Sequence, residues 1–326
     1  MRRSPAEKLE IIRLVEGSDL SVRRTLKQLG VERSTFYDWY RRYREFGPDG
    51  LKQRAPRKRT RWNEISNSRR EQIVQAALRE PELSPRELAL RITDRDEYFV
   101  SESSVYRVLK AHDLIASPHF VVMTAANQFE NPTRQPNELW QTDFTYLRVV
   151  GWGWYYLSTV LDDYSRYILA WKLGPTMKAG DVEETLDLAI AATGVDQVAV
   201  RHRPRLLSDN GSAYISGELQ EYLAKHGIEH TRGAPYHPMT QGKIERWHRT
   251  MKNVVKLEHY YSPGELERAM ARFVEDYNHR RYHESVDNVT PADAYFGRRN
   301  EVLERRRQIK QRTLARRKKE NRKAAA

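Results

Sequence analysis

Two carboxylates lie where a side chain could reach a bound ion. Asp209 follows the apolar pair Leu206-Leu207 at the end of a short predicted strand, and Asn210-Gly211 turns the chain directly after it. Glu245 lies further along, within a predicted helix. Because carboxylate oxygens are the ligands that hard divalent cations such as Mg²⁺ prefer, residues 208–252 form a candidate metal site.

A third carboxylate, Asp143, lies inside a predicted strand among the large side chains of Trp140, Phe144 and Tyr146. An ionised carboxylate in such surroundings is costly unless it is paired or bound to a cation. The chain has 44 acidic residues, so the spacing between any two of them decides nothing. Asp162 and Asp163 are competing candidates, although their place in a predicted turn favours local hydrogen bonds to the backbone.

The helix that carries Glu245 has two distinct faces. One stripe is apolar, and a second stripe, well rotated from the first, is polar and mostly charged. Lys252 lies about two turns, or ~10 Å, beyond Glu245 on the polar stripe. A carboxylate for metal beside cations for phosphate suits a nucleic-acid substrate, whereas Glu245–Arg249 pairing on a solvated face is the alternative. The apolar stripe is Ile244, Trp247, Met251 and Val254, and the polar stripe is Gln241, Glu245, Arg249, Lys252 and Lys256.

The elements around these residues predict a mixed α/β domain. Aromatic and β-branched runs predict strands over 139–150, 154–161, 166–173, 204–207 and 228–232, and Gly151-Trp152-Gly153 indicates a hairpin between the first two. Apolar spacing predicts helices over 179–192, over 217–225 and from 241 onward. Three consecutive strands followed by alternating helices and strands form a five-stranded mixed sheet.

The first 50 residues predict a helix-turn-helix domain. Helices are expected over 6–15, 21–29 and 35–46, with Gly30 ending the second and Ser34 as the N-cap of the third. The last helix of such a unit lies in the DNA major groove. Arg33, Thr35 and Arg41 would then be available to DNA, and an ordinary three-helix bundle with solvated arginines is the alternative.

Two further segments separate this domain from the core. Residues 51–62 predict a basic linker in which Lys58 and Arg59 could lie along phosphates. Residues 63–115 repeat the helical organisation, with the capping box Ser84-Pro85-Arg86-Glu87, and predict a second helix-turn-helix-like domain. A purely structural role for this second domain is the alternative. Proline-containing residues 116–136 are expected to be a linker to a core over 137–297.

The composition indicates a partner that is a polyanion. Of the net charge of +13, residues 1–61 carry +9 and residues 298–326 carry +10, which leaves −6 for the segment between them. Basic ends suggest a polyanion held at several points, and solvated basic ends are the alternative. The basic tail over 298–326 is expected to be disordered until DNA is present.

Cysteine is absent, which excludes disulfides, cysteine-based zinc sites and thiol nucleophiles. Without a long apolar run or a signal-peptide pattern, a cytoplasmic, nucleoid-associated protein without membrane contact is expected.

Several motifs are spread over residues 140–292. They are Trp140-Gln141-Thr142-Asp143-Phe144-Thr145, Ser208-Asp209-Asn210-Gly211, Tyr236-His237-Pro238, Gln241-Gly242-Lys243-Ile244-Glu245-Arg246, Lys252, residues 277–283 and Thr290-Pro291-Ala292. Together they resemble one family, the DDE-type insertion-sequence transposases with a retroviral-integrase-like catalytic core. The resemblance implies a ribonuclease H-like fold for the core and all-α helix-turn-helix domains ahead of it. It also implies that Asp143, Asp209 and Glu245 are the catalytic, metal-binding triad. The chain departs from retroviral integrases in lacking cysteines for an N-terminal zinc domain.

The activity that the resemblance implies is cleavage and joining of DNA. The chain would bind the terminal inverted repeats of a mobile element as a homo-oligomer on double-stranded DNA, without a small-molecule substrate. Two Mg²⁺ ions, for which Mn²⁺ can substitute, would stabilise the attacking and leaving oxygens of an in-line displacement. A catalytically inactive DNA-binding regulator and a nuclease that cuts without joining are the alternatives. DNA contacts are expected from Gln241, Lys243, Arg249 and Lys252, and His237 and His248 are either structural or supporting residues.

Overall fold

The structure is a computed structural model that describes residues 4–18, 20–52, 62–115, 133–197, 199, 202–233 and 242–325. It divides into two compact units, residues 1–61 and residues 62–326. Lys58, Arg59, His237 and Gln241, together with most of both predicted linkers, lie outside the described residues. Within the described ranges, no helix is both long and apolar enough to cross a membrane.

The first unit is a three-helix domain, as predicted. Its helices are α1 (Pro5–Glu16), α2 (Val22–Gln28) and α3 (Arg33–Phe46), followed by a 3₁₀ turn over Gly47–Leu51. Ile12, Leu26 and Phe36 meet in its core. The prediction that Ser34 caps α3 is wrong, because the Phe36 N–H already donates to the Glu32 carbonyl at 3.0 Å, so that Glu32 is the N-cap.

The second unit begins with a second three-helix domain, made of α4 (Asn67–Arg79), α5 (Pro85–Arg95) and α6 (Glu102–Ala111). Ser84 caps α5 in the predicted capping box, in which its hydroxyl and the Glu87 carboxylate each accept a backbone N–H. Ile73, Leu88 and Val105 form the centre of its core. The domain therefore has a hydrophobic core of its own within the larger unit.

The catalytic-core segment contains a five-stranded mixed sheet. Its strands are β1 (Leu139–Val149), β2 (Gly153–Asp162), β3 (Ile168–Gly174), β4 (Arg205–Ser208) and β5 (Glu229–Arg232), in the spatial order β3-β2-β1-β4-β5. The first three strands are antiparallel, and β4 and β5 run parallel to β1. The prediction that β3 begins at Arg166 is wrong, because Arg166 has a φ of 69°, a left-handed conformation that does not continue a strand.

Helices cover both faces of the sheet. On one face, α7 (Ala179–Thr193) and α8 (Gly217–Lys225) share a core with Trp140 and Leu206. On the other face, α9 (Gly242–Val255) and α10 (Pro263–His279) pack on Leu157 and Leu161. This arrangement holds α9, with Glu245 in its first turn, against the face of β1 from which Asp143 projects.

The basic C-terminal segment forms a long helix, so the prediction that it is disordered is wrong. After the short helix α11 (Pro291–Tyr295), helix α12 spans Arg299–Ala325. Its buried stripe consists of Arg306, Ile309, Thr313 and Arg317. Arg306 donates two hydrogen bonds to the Asp94 carboxylate, at 2.6 and 2.8 Å, and Arg317 donates to the Tyr98 hydroxyl at 2.7 Å. These contacts order the segment without DNA and fasten it along the second three-helix domain.

Candidate active site

The sheet places Asp143 on β1 and brings Asp209 to the end of the neighbouring strand β4. In the parallel pairing of β1 with β4, Gln141 lies opposite Leu207. Asp143 lies two residues beyond Gln141 on β1, and Asp209 lies two residues beyond Leu207, directly after the last residue of β4. Both carboxylates thus follow the same paired position of adjacent strands, and the charge of Asp143 acts on Asp209.

The surroundings of Asp209 keep two negative charges close together. Burial raises the pKa of the Asp209 carboxyl, and the charge of Asp143 raises it further, while a hydrogen bond from the Gly211 N–H acts in the opposite direction. That N–H donates to Asp209 Oδ1 at 2.8 Å, which holds the carboxylate in the turn after β4. A carboxylate whose ionisation is disfavoured by burial and by a neighbouring negative charge is a group that a bound cation stabilises.

Glu245 reaches the same region from α9. Asp143 and Glu245 line one open cavity of about 690 Å³. Asp143 is thus associated with Asp209 through the sheet and with Glu245 across the cavity. Among the described residues, no three His, Asp or Glu side chains gather closely enough to hold a metal ion. The structure therefore relates Asp143 to each of the other two carboxylates but does not gather all three at one point. The other polar residues that line this cavity include His248, Arg249, Lys252 and Lys256.

The cationic side of the cavity comes from the polar stripe of α9. The Lys252 ammonium lies 4.8 Å from the centre of the Tyr146 ring on β1. Burial lowers the pKa of Lys252, and the charge of Lys256 lowers it further, whereas Asp143 acts in the opposite direction. Arg249 is exposed. Two of the predicted DNA contacts, Arg249 and Lys252, therefore line the same cavity as Asp143 and Glu245. The polar stripe of α9 predicted this position relative to Glu245.

His248 lies behind Asp143. Its Nδ1 atom is 3.4 Å from Asp143 Oδ2, and its side chain is only 8% exposed. Its Nε2 atom is buried and has no hydrogen-bond partner within the described part of the chain. This position suits the supporting role that the sequence left open, because the ring can orient Asp143.

A buried polar cluster joins the strand of Asp143 to the first turn of the Glu245 helix. The Gln141 side chain accepts the Ile244 N–H at 3.2 Å and donates to Asp163 at 2.8 Å. The Lys243 ammonium donates to the same Asp163 carboxylate at 2.5 Å. Gln141 lies two residues before Asp143, and Ile244 directly precedes Glu245. The cluster therefore fixes the segments that carry Asp143 and Glu245 relative to each other.

Contacts within the protein hold Lys243 and Asp163 in this cluster and Asp162 beside it. Lys243 is 14% exposed and Asp163 is 4% exposed, whereas DNA contact by Lys243 requires an accessible ammonium. Asp162 ends β2 and accepts hydrogen bonds from the Asn137 N–H and from both the N–H and the hydroxyl of Ser165. Asp162 and Asp163 therefore hold a turn and a helix start, and the alternative of a ligand role for them receives no support.

The candidate DNA contacts of the first unit lie on α3. Arg33 and Thr35 are exposed at the start of that helix. Arg41 is also exposed, and its guanidinium donates to Asp38 at 2.5 Å. These three residues are thus on the surface of the helix that a helix-turn-helix presents to DNA, with Arg41 already in a local ion pair.

Sequence reasoning missed Gln141 and Tyr146 as parts of the site. Gln141 could have been noticed, because it lies two positions before Asp143 and therefore on the same side of the predicted strand. Tyr146 carries no such signal, since its contact with Lys252 depends on how α9 lies over β1.

Family models match nearly all of these parts. Two integrase core domain models match residues 133–238 and 226–291. A helix-turn-helix domain model matches residues 7–60, and a homeodomain-like domain model matches residues 35–109. The matches agree with the sheet and its helices and with the helical domains ahead of them.

Curated relatives are transposases and a viral polyprotein. The chain is 31% identical over 174 residues to a Mycobacterium tuberculosis (strain CDC 1551) protein named as the transposase for insertion sequence element IS986/IS6110. It is 29% identical over 161 residues to the Escherichia coli (strain K12) transposase InsF for insertion sequence IS3A, and 32% identical over 170 residues to the Gag-Pro-Pol polyprotein of mouse mammary tumor virus. These matches cover 50%, 48% and 50% of this chain and 60%, 53% and 9% of the respective relatives.

Among solved structures, the HTLV-2 integrase catalytic core domain in complex with magnesium matches with 21% identity and a TM-score of 0.39, covering 49% of this chain and 97% of that one. A chain of the simian T-cell lymphotropic virus intasome matches with 21% identity and a TM-score of 0.43, covering 68% and 73%. The family models agree with the resemblance drawn from the motifs: the chain carries a ribonuclease H-like integrase core domain preceded by helix-turn-helix domains, and the curated relatives that match about half of it include insertion-sequence transposases.

Proposed function

We propose that this protein is a DNA transposase that binds the terminal inverted repeats of a mobile element, cleaves their strands and joins them to target DNA. Its partner is double-stranded DNA, on which it works as a homo-oligomer in association with the nucleoid. The observation that carries the proposal is the β1–β4 register, which brings Asp143 and Asp209 to positions just beyond the pair formed by Gln141 and Leu207. Asp143 also shares its cavity with Glu245 and a row of cations.

The donor set fits a hard divalent cation. Carboxylate oxygens are the preferred ligands of Mg²⁺ and Mn²⁺, and a cation would offset both the burial and the charge of Asp143 that raise the pKa of Asp209. Asp143, Asp209 and Glu245 would hold the metal. When bound, such ions polarise phosphoryl oxygens and neutralise charge that develops in the transition state.

The remaining residues hold and orient the DNA. Arg249 and Lys252 face the cavity and can pair with phosphate oxygens on either side of the scissile bond. In the first step, water attacks phosphorus and the leaving oxygen becomes a free 3′-hydroxyl. In the second step, that hydroxyl attacks another phosphodiester, so that one P–O bond forms as one breaks. No protein nucleophile is needed, which agrees with the absence of cysteine.

Asp209→Asn tests the proposal. The substrate is labelled duplex DNA that carries the inverted repeats flanking the gene, incubated with Mg²⁺ or Mn²⁺. We expect the variant to lose both nicked and joined products, because it lacks a charged metal ligand, while its binding to the same DNA without metal is unchanged. Glu229→Gln, which removes an exposed carboxylate from β5 of the same sheet, is the matched control and should keep both products.

The same assay separates the alternatives. Equal loss of binding and cleavage in Asp209→Asn would refute the metal-ligand assignment. Nicked products without joined products from the unsubstituted protein would identify a nuclease. Binding without either product would identify a DNA-binding regulator.

A further inference from the structure

A second cavity, of about 270 Å³, lies along a different face of α9, between the second three-helix domain and the core. Its walls come from the first turn of α5, the start of α9 and the segment after α10. Five cationic side chains line it, against two carboxylates. The cations are Arg86, Arg166, Lys243, Arg246 and Arg281, and the carboxylates are Glu87 and Glu284.

The carboxylates leave part of this positive charge unpaired. Arg86 pairs with Glu284 at 2.5 Å, whereas Arg281 is 4.0 Å from Glu87, too far for a hydrogen bond. Within the described part of the chain, neither Arg166 nor Arg246 has an acidic partner within 4.0 Å. The cavity therefore presents guanidinium donors without matching protein acceptors.

Arg166 is held in this position by its backbone and its surroundings. Its φ of 69° turns the chain between β2 and β3. Its guanidinium donates to the Tyr164 carbonyl at the long distance of 3.4 Å. Burial lowers the pKa of Arg166, although the charge of Asp163 acts in the opposite direction. A guanidinium that is largely withdrawn from water needs acceptor oxygens for its remaining donors.

His283 marks the point on which the positive charges converge. Burial lowers the pKa of the His283 imidazole to about 3, and the charges of Arg281, Arg166, Arg86 and Arg246 each lower it further. Its Nε2 atom is buried and has no hydrogen-bond partner among the described residues. A neutral imidazole with a free nitrogen, lining the same cavity as four guanidinium groups, completes a site for an oxyanion.

We propose that this cavity binds a phosphate group, held by the guanidinium groups of Arg166, Arg246 and Arg281. The planar fork of arginine matches two phosphate oxygens at once, and the volume admits a tetrahedral oxyanion. The group comes either from inorganic phosphate or from the DNA backbone, and the second source rests on the proposed function.

Inorganic phosphate is the first probe. We expect sodium phosphate to raise the thermal unfolding temperature of the full chain saturably, relative to sodium chloride at equal ionic strength. Arg246→Gln should weaken the apparent affinity for phosphate about tenfold or more, because it removes charge-assisted hydrogen bonds. Arg246 is exposed and without an ion pair in the described ranges, so the variant should fold. Arg272→Gln, which removes an exposed arginine of α10 outside the cavity, should respond like the unsubstituted protein.

DNA affinity as a function of salt concentration is the second probe. If the phosphate group belongs to DNA, Arg246→Gln should reduce the slope of log K against log[salt] by about 1, and Arg272→Gln should leave it unchanged. A thermal response with an unchanged slope identifies inorganic phosphate as the ligand. The proposal is overturned if Arg246→Gln changes neither the phosphate response nor the slope. Since the thermal measurement contains no DNA, its outcome is independent of whether the chain acts as a transposase.

Discussion

Lys243 can serve either as a DNA contact or as one half of a buried ion pair, and Lys243→Met distinguishes the two roles. In the structure the ammonium donates to Asp163 at 2.5 Å, and the two side chains are 14% and 4% exposed. Methionine fills much of the same volume but leaves Asp163 without its cation. Removing one partner of a buried pair costs about 3–5 kcal/mol, because a charge stays buried without compensation.

The remaining partners of Asp163 place the expected loss at the lower end of that range. Gln141 still donates to this carboxylate at 2.8 Å, and Thr133 donates at 2.6 Å. We therefore expect Lys243→Met to lower the free energy of unfolding by about 3 kcal/mol. Urea unfolding of the full chain measures this loss in the transition of residues 62–326, with an unchanged dependence on urea concentration.

Two further variants make the measurement decisive. Adding Asp163→Asn to Lys243→Met should restore part of the stability, because the buried charge is then removed as well. Arg307→Met, which breaks an ion pair with Glu304 whose side chains are 69% and 49% exposed, should cost less than about 1 kcal/mol. If Lys243→Met unfolds like the unsubstituted protein and instead weakens DNA binding with a smaller salt slope, the structural role is refuted and the DNA contact stands.

Two other residues give predictions of the same kind. Gln141→Leu leaves the Ile244 N–H without its acceptor, so we expect a loss of about 1–3 kcal/mol in unfolding free energy. It should also lower the rate of strand cleavage at saturating DNA, with unchanged DNA affinity, because the helix start that carries Glu245 loses its hydrogen bond to β1. An unaltered rate would argue against a role for this hydrogen bond in positioning Glu245. In the unfolded chain the His283 imidazole takes up a proton below about pH 6.5, whereas in the folded protein it does so only near pH 3. The free energy of unfolding should therefore fall as the pH decreases between these two values. This dependence is at most about 1.4 kcal/mol per pH unit. His283→Gln should therefore flatten the curve of stability against pH in a phosphate-free buffer. A curve identical to that of the unsubstituted protein would contradict a buried neutral imidazole at this position.

Much of the fold could be predicted from the sequence because the buried sides of its strands and helices form regular patterns of apolar residues. The five strands and most helices were predicted within a few residues, since their buried sides are rows of aliphatic and aromatic side chains. Glu245, Arg249 and Lys252 were assigned to one side of α9 by the same periodicity, and the structure places all three at one cavity. Lys243 was named from its motif, although two residues along a helix turn it about 200° away from Glu245.

The remaining features depend on tertiary contacts that leave little local signal. The parallel pairing of β1 with β4, which brings the end of β4 and Asp209 towards Asp143, joins segments more than 60 residues apart in the sequence. Helix α12 escaped prediction because its buried stripe contains Arg306, Thr313 and Arg317. Hydrophobic periodicity cannot reveal a face that is buried through hydrogen bonds.

The docking of α12 has a consequence for the order in which the protein folds. Its polar contacts with the second three-helix domain join residues separated by 212, 214 and 219 positions. Ribosomes add about 5–20 residues per second, so the 93 residues from the end of β5 at Arg232 to the end of α12 at Ala325 take roughly 5–19 s to appear. Until then, the Asp94 carboxylate has the Tyr282 hydroxyl but lacks Arg306. Synthesis of α12 is therefore the event that locks an already folded core to the helical domain made before it.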